Sequence, residues 1–139
     1  ADVKMGIRSN GEACHYFAGD VWFRGKLDVV VTWEANAFIG DWKTGKPREN
    51  ADELELFGVM LKARQPDLQK ITGSYIWLKT GTIGQKHDLS DTAGKFRALA
   101  SRMDELHQSQ KMNYWPKTEG PLCGWCSVVD CEFNKKGSR

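Results

Sequence analysis

The sequence predicts an α/β fold in which helices flank a mixed β-sheet and a β-hairpin stands at the N-terminus. Runs of aromatic and β-branched residues, bounded by Gly, Asn and Pro, indicate a series of strands up to residue 78. A segment with apolar residues at helical spacing interrupts these runs after residue 50, and a second one follows after residue 90. Because a strand that follows a helix can pair in parallel with an earlier strand, the sheet is expected to be mixed.

The N-terminal part of the chain is predicted to consist of strands joined by short turns. A hairpin is expected over residues 3–17, where Ser9-Asn10-Gly11 separates two extended runs, since Asn-Gly is the strongest short hairpin signal. A long strand over 22–31 and a second strand over 37–46 follow, joined at Glu34-Ala35-Asn36. The connections are short, so these neighbours are expected to be antiparallel.

The two helices are predicted from their caps and apolar faces. The first begins at Asn50, with Glu53 at its third position in an arrangement close to a capping box, and Gln65-Pro66-Asp67 ends it. Residues 72–78 then indicate a central strand, and residues 82–89 indicate a polar edge strand. The second helix has a predicted cap at Ser90 or Asp91 and apolar residues at Phe96, Leu99, Met103 and Leu106.

Each of the two long strands carries an aspartate, a residue that strands disfavour: Asp28 in the first and Asp41 in the second. Side chains alternate faces along a strand, so Asp41 and Lys43 lie side by side while Trp42 points the other way. Asp28, on the adjoining strand, can reach the same place. Two carboxylates and an amine are therefore predicted to converge at the edge of a sheet, and places where local rules break are often functional.

The composition indicates one folded domain. The chain has 139 residues, of which 40% are hydrophobic and 27% charged. We expect a single domain over 1–139, with a hairpin at 1–19, a core at 20–110 and a cysteine-containing segment at 111–139. A net charge of +2 is too weak to indicate nucleic-acid binding by itself. No apolar run of membrane-spanning length and no signal peptide is visible, so we expect a cytoplasmic protein without a membrane partner.

Two motifs resemble the PD-(D/E)XK nuclease superfamily, specifically its RecB-like exonuclease branch of phage and CRISPR-associated type. They are Arg24-Gly25-Lys26-Leu27-Asp28 and Gly40-Asp41-Trp42-Lys43-Thr44-Gly45-Lys46, followed by an amphipathic helix. The family pattern is a Gly-x-x-Asp strand and then an Asp/Glu-x-Lys strand that ends in Lys-Thr-Gly-Lys. An isolated Asp-x-Lys carries little weight, but the two motifs at short spacing are much more specific. The resemblance covers residues 20–80 best and implies a restriction-endonuclease-like fold.

The resemblance implies a metal-dependent DNA nuclease, with an exonuclease in recombination, repair or phage replication as the setting. Mg²⁺ or Mn²⁺ would be held by Asp28, Asp41 and the backbone carbonyl of Trp42, and oxygen ligands suit these ions. Lys43 would orient the attacking water or offset negative charge at the phosphate. DNA, and recombination or replication proteins, are the implied partners, in the cytoplasm of a bacterium or a phage-infected cell. The alternative is a non-catalytic nucleic-acid-binding or cysteine–metal scaffold, in which Lys43 is only a cross-strand ion-pair partner.

Further residues are candidates for the same site. The family's Gln-x-x-x-Tyr signature corresponds here to Glu53 and Phe57, and Glu53 is either a third carboxylate near the metal or only a capping partner. Phosphate contacts are expected from four basic residues near the motifs, each of which is otherwise an ordinary surface charge: Arg24, Lys26, Lys46 and Arg48.

Cysteines form a second candidate site near the C-terminus. Cys123, Cys126 and Cys131 have the spacing of metal ligands, and Cys14 stands far from them in the N-terminal hairpin. In RecB-like and CRISPR-associated relatives, three such cysteines and one distant N-terminal cysteine hold an iron–sulfur cluster. The alternatives are therefore a 4Fe-4S cluster, Zn²⁺ or free thiols.

Overall fold

The computed structural model describes residues 3–47 and 50–134. The elements, in chain order, are β1 (Val3–Ile7), β2 (Ala13–Cys14), β3 (Phe23–Leu27), β4 (Val29–Trp33), β5 (Asn36–Lys43), α1 (Asp52–Arg64), β6 (Lys70–Trp77), β7 (Thr82–Ile83), β8 (His87–Asp88) and α2 (Thr92–Met112). A short 3₁₀ helix, Cys123–Trp125, follows. The predicted order of hairpin, strands, helix, strand and helix is confirmed.

The strands of the described chain form two sheets. The smaller has the order β2-β1-β3 and is antiparallel. The larger has the order β4-β5-β6-β7, with β8 also paired to β6. Within it, β5 and β6 are parallel because α1 connects them as a crossover, whereas the other pairings are antiparallel. The predicted mixed sheet and the parallel pairing of the strand after α1 are thus confirmed.

Asp28 interrupts the long strand predicted over 22–31, so that prediction is wrong in this detail. The chain bends at Asp28 and separates β3 from β4. β3 pairs with β1 up to its last residue, Leu27, which lies opposite Val3. β4 pairs instead with β5, starting from Val29, which lies opposite Gly40. Propensity cannot reveal this change of partner, because both halves are good strand sequences.

The predicted edge strand over 82–89 is also shorter than expected. Only Thr82–Ile83 and His87–Asp88 pair with β6, as two separate two-residue strands. Gly84 lies between them, and a Cβ there would be only 3.0 Å from Trp77 Nε1. The chain therefore passes close to β6 at this point but does not keep the regular ladder.

α1 packs against both sheets and holds them together, and five consecutive residues of this helix, Phe57–Leu61, are buried. Its residues contact β1 and β3 of the smaller sheet as well as β5 and β6 of the larger one. Gly25 of β3 allows a close approach, because a Cβ there would lie 3.1 Å from both Met60 Sδ and Phe57 Cε1. The largest fully buried apolar side chains are those of Ile7, Leu27, Ile39, Leu54, Met60, Leu61 and Ile71.

The N-terminus of α1 differs from the predicted capping box. The helix begins at Asp52, with Ala51 at the N-cap position, and Asn50 Oδ1 accepts a hydrogen bond from the Asp52 N–H at 2.7 Å. Glu53 is consequently the second helical residue, and its side chain accepts a hydrogen bond from Lys43. The cap of α2 agrees with the prediction, since Asp91 Oδ1 accepts a hydrogen bond from the Gly94 N–H at 3.0 Å.

The chain divides into two compact units, 1–103 and 104–139, with the boundary inside α2. The first unit contains both sheets and α1. The second contains the end of α2 and the 3₁₀ helix at the cysteines. Neither helix of the described ranges has a stretch apolar and long enough to cross a bilayer.

Candidate active site

The predicted catalytic residues lie at the C-terminal end of β5, beside the start of α1. Asp41 is almost completely buried, with 4% of its surface exposed. Trp42 points to the other side of the sheet and is 46% exposed. Alternation along β5 places Asp41 and Lys43 on one face and Trp42 on the other, as the sequence predicts. The face of Asp41 and Lys43 is the one that α1 covers, since Lys43 pairs with Glu53 of α1.

Asp28 joins this group because the bend between β3 and β4 lies next to β5. Its Oδ2 accepts a hydrogen bond from the backbone N–H of Trp42 at 2.9 Å. This hydrogen bond connects the bend at Asp28 to Trp42, the residue that follows Asp41 in β5. The structure thus brings Asp28 and Asp41 to adjacent backbone positions, as the two motifs predict.

Lys43 connects the sheet to α1 through two carboxylates. Its Nζ lies 2.7 Å from Asp41 Oδ2 and 2.5 Å from Glu53 Oε2. The ammonium also lies 5.3 Å from the centroid of the Tyr75 ring, a cation–π distance. Glu53 does not cap the helix, and its side chain instead binds Lys43.

The electrostatics of Asp41 are unusual for a carboxylate. The pKa of Asp41 is raised, chiefly by burial. Lys43 lowers this pKa, but burial and the negative charges of Glu53 and Asp28 together outweigh the effect of Lys43. Within the described chain, Asp41 Oδ2 is the buried side-chain oxygen that lacks a hydrogen bond, since Lys43 approaches it without hydrogen-bond geometry. An additional positive charge would therefore be favourable here.

Lys43 remains positively charged at neutral pH in this arrangement. Burial alone would lower the pKa of Lys43, but its ion pairs with Asp41 and Glu53 outweigh this and raise the pKa. A raised pKa disfavours a neutral amine, so Lys43 is suited to neutralise negative charge and not to act as a general base.

A cleft of about 470 Å³ opens at this group of charges. It is lined by Lys43 and Glu53, by the predicted phosphate contact Lys46, and by Tyr75 and Trp77 of β6. Arg24 and Lys26 do not line it, and Arg48 lies outside the described residues.

Tyr75 is a site residue that the sequence reasoning missed. It lies directly opposite Asp41 in the parallel β5–β6 register and is 6% exposed. Burial raises the pKa of Tyr75, and so does the negative charge of Glu53. The parallel pairing of β6 was predicted, but its register depends on tertiary packing and could not be read from the chain. Phe57, by contrast, packs in the core against Gly25.

The cysteines show no closed metal site. Cys14 belongs to β2 in the first unit, and Cys123, Cys126 and Cys131 belong to the second unit as free thiols. Cys123 Sγ accepts a hydrogen bond from the Gly120 N–H at 3.3 Å. Among residues 3–47 and 50–134, no three His, Cys, Asp or Glu side chains converge closely enough to hold a metal ion. In the group formed by Asp41, Lys43 and Glu53, the ammonium of Lys43 lies between the two carboxylates.

Comparison with known proteins identifies one family. A family model described as the PD-(D/E)XK nuclease superfamily matches residues 2–131. Searches of the curated proteins and of the solved structures found no match.

Proposed function

Because this chain belongs to the PD-(D/E)XK nuclease superfamily, we propose that it is a divalent-metal-dependent deoxyribonuclease whose catalytic residues are Asp28, Asp41 and Lys43. The observation that supports this most directly is the buried Asp41 carboxylate, whose Oδ2 lacks a hydrogen bond and faces a protonated lysine. A carboxylate held in this way costs stability, which is typical of residues kept for chemistry.

The residues fit a divalent ion. Asp28 and Asp41 supply the hard oxygen ligands that Mg²⁺ and Mn²⁺ prefer, and the Trp42 carbonyl would be a third ligand by family resemblance. The Trp42 N–H occupies only one oxygen of Asp28, at 2.9 Å. A bound ion would polarise the phosphate and increase the acidity of a coordinated water.

The chain's own charges support phosphodiester hydrolysis. Lys43 offers a protonated ammonium for the negative charge that develops on the phosphate. Glu53 holds this ammonium from α1 at 2.5 Å, and the Tyr75 ring packs beside it. The cleft beside them supplies room for a phosphate, with Lys46 on its wall.

Cleavage assays with matched variants test this proposal. We expect the wild-type protein to cleave DNA with Mg²⁺ or Mn²⁺ and not in EDTA. Asp41→Asn and Lys43→Gln should each lose roughly 100-fold or more in rate, the scale seen when one stabilising group is removed. The controls Asp67→Asn and Lys79→Gln change exposed residues of the same types outside the cleft and should retain wild-type rates. Wild-type rates in both site variants would refute the assignment.

Exonuclease action in recombination, repair or phage replication is a finer proposal that rests on the RecB-like resemblance. An exonuclease needs a DNA end, so it should degrade a linear duplex and leave a closed circular DNA intact. Cleavage of both substrates at equal rates would identify an endonuclease and overturn this part of the proposal.

A metal at the cysteines is the remaining proposal. The sequence spacing of Cys123, Cys126 and Cys131 supports it, and thiolates are the ligands of iron–sulfur clusters and of structural zinc. The non-catalytic scaffold is the competing function. It predicts that the purified protein binds DNA or metal but shows no metal-dependent cleavage.

A further inference from the structure

A second cleft lies beside the smaller sheet, at the opposite end of α1 from the carboxylates. Its volume is about 560 Å³, and its lining includes Lys4 of β1, the aromatic residues Tyr16 and Phe17 after β2, and Arg64 at the end of α1. Glu53 and Arg64 are eleven positions apart on α1, which corresponds to about 16 Å along the helix axis. The two clefts share no lining residue.

Two cations, Lys4 and Arg64, line this second cleft, and two more lie beside Lys4 on β3. Lys4 and Lys26 are directly opposite each other in the β1–β3 pairing, and Arg24 lies two positions further along the same face. Like charges at opposite positions destabilise a sheet. In the described part of the chain, Lys4, Lys26, Arg24 and Arg64 have no carboxylate within ion-pair distance, and the lining contains no acidic residue. An anionic ligand would neutralise this cluster.

Aromatic rings stand among these cations. Phe17 is 67% exposed, although it is apolar, and its ring makes an edge-to-face pair with Tyr16 at 4.9 Å between centroids. Lys4 Nζ lies 5.7 Å from the Phe17 centroid, and the Arg24 guanidinium lies 5.5 Å from the Tyr16 centroid. Exposed aromatic rings beside a basic groove are the features that bind single-stranded nucleic acid, through base stacking and phosphate contacts.

We propose that this basic-aromatic cleft binds an unpaired segment of the DNA that the catalytic site cleaves. Phosphates contact Lys4, Arg24, Lys26 and Arg64, and a base stacks on Phe17. Single-stranded DNA is the occupant because the base faces of a duplex are stacked internally and cannot receive an aromatic ring. The inference rests on the proposed nuclease function. The separation of about 16 Å along α1 corresponds to roughly five nucleotides at the spacing of one duplex strand.

DNA-binding measurements in EDTA test the cleft without cleavage. The probes are a fluorescein-labelled oligothymidine of about 12 nucleotides, within the site sizes of such grooves, and a duplex of equal length, followed by anisotropy. Phe17→Ala should weaken binding of the single strand by roughly 5- to 150-fold, the equivalent of one lost stacking contact, and leave duplex binding unchanged. Phe17→Leu, which keeps the apolar volume but not the ring, should behave like Phe17→Ala, whereas Phe17→Tyr should bind like wild type.

Lysine substitution gives an independent readout. Lys4→Gln should weaken binding of both probes and reduce the slope of log affinity against log salt by about 0.7 for the single strand. Trp33→Ala, which removes a 49% exposed aromatic ring on β4, and Lys79→Gln should leave binding unchanged. Unchanged single-strand binding in Phe17→Leu, or an equal loss for both probes, would overturn the proposal. Because no cleavage is measured, failure of the catalytic assignment leaves these results interpretable.

Discussion

Lys43→Gln tests whether the Lys43 ammonium, between Asp41 and Glu53, occupies the position that a divalent metal ion would take. The substitution removes the ammonium and leaves Asp41 buried without a counterion, so the metal-free protein should be less stable. Removing one partner of a fully buried pair costs roughly 3–5 kcal/mol. Since the Lys43 and Glu53 side chains are 30% and 49% exposed, solvent screening reduces this, and we expect about 1–3 kcal/mol.

The same substitution should strengthen metal binding. Wild-type protein must move the ammonium away from Asp41 when a divalent ion binds there, whereas the variant has no competing charge. By thermodynamic linkage, if the bound ion restores the stability that the variant lost, the variant binds the ion more tightly by the same free energy. A loss of about 1–3 kcal/mol therefore corresponds to roughly 5- to 150-fold tighter Mn²⁺ binding. Lys43→Gln should therefore bind the ion more tightly while losing catalysis.

Thermal unfolding and calorimetric titration with Mn²⁺ measure both effects. At roughly 3 °C per kcal/mol for a chain of this size, the Tm of Lys43→Gln in EDTA should fall by about 3–9 °C and recover in excess Mn²⁺. Lys70→Gln, which changes an exposed lysine at the other end of β6, opposite Asn36, is the control and should match wild type in both measurements. A variant that is as stable as wild type in EDTA, or that binds Mn²⁺ more weakly, would show that Lys43 does not compete for this place.

Three further predictions concern the core and the cysteines. Leu54→Ala should destabilise the protein by about 2–5 kcal/mol in urea unfolding, because Leu54 is fully buried, whereas Leu122→Ala at a 75% exposed position should change stability little. Gly25→Val should cost about 1–3 kcal/mol, since a Cβ would lie 3.1 Å from side chains of α1, and Gly45→Val, with no atom within 4 Å, is its control. If the cysteines hold a cluster, purified protein is brown and Cys123→Ser is colourless; a zinc site instead gives a colourless protein that loses zinc in the variant.

Local chemistry was sufficient to predict most of the elements. The Asn-Gly turn forms a hairpin in which Gly11 has a φ of +86°, a conformation that glycine adopts easily. Pro66 follows the end of α1, and Asp91 caps α2. Each of these features depends on residues a few positions apart, so the sequence contains the whole cause. The pair of motifs likewise indicated which residue types could carry out the chemistry.

Two features of the site could not be predicted locally. The bend at Asp28 arises because β3 and β4 pair with different strands, and that choice depends on where α1 packs. Glu53 fitted a capping box and a catalytic site equally well in the sequence. Its role was decided by the position of α1, whose first turn is close enough for Glu53 to bind Lys43.

The sequence by itself therefore determined most of the strands and both helices, which follow from alternation, capping and turn preferences. It also indicated the candidate residues Asp28, Asp41 and Lys43, through the two motifs. Tertiary structure alone decided that Lys43 lies between Asp41 and Glu53 and that Tyr75 lies beside them. The physical reason is that these groups belong to β5, α1 and β6. Burial of the apolar residues of α1 in the core brings those elements together and places their charges in one partly buried cleft.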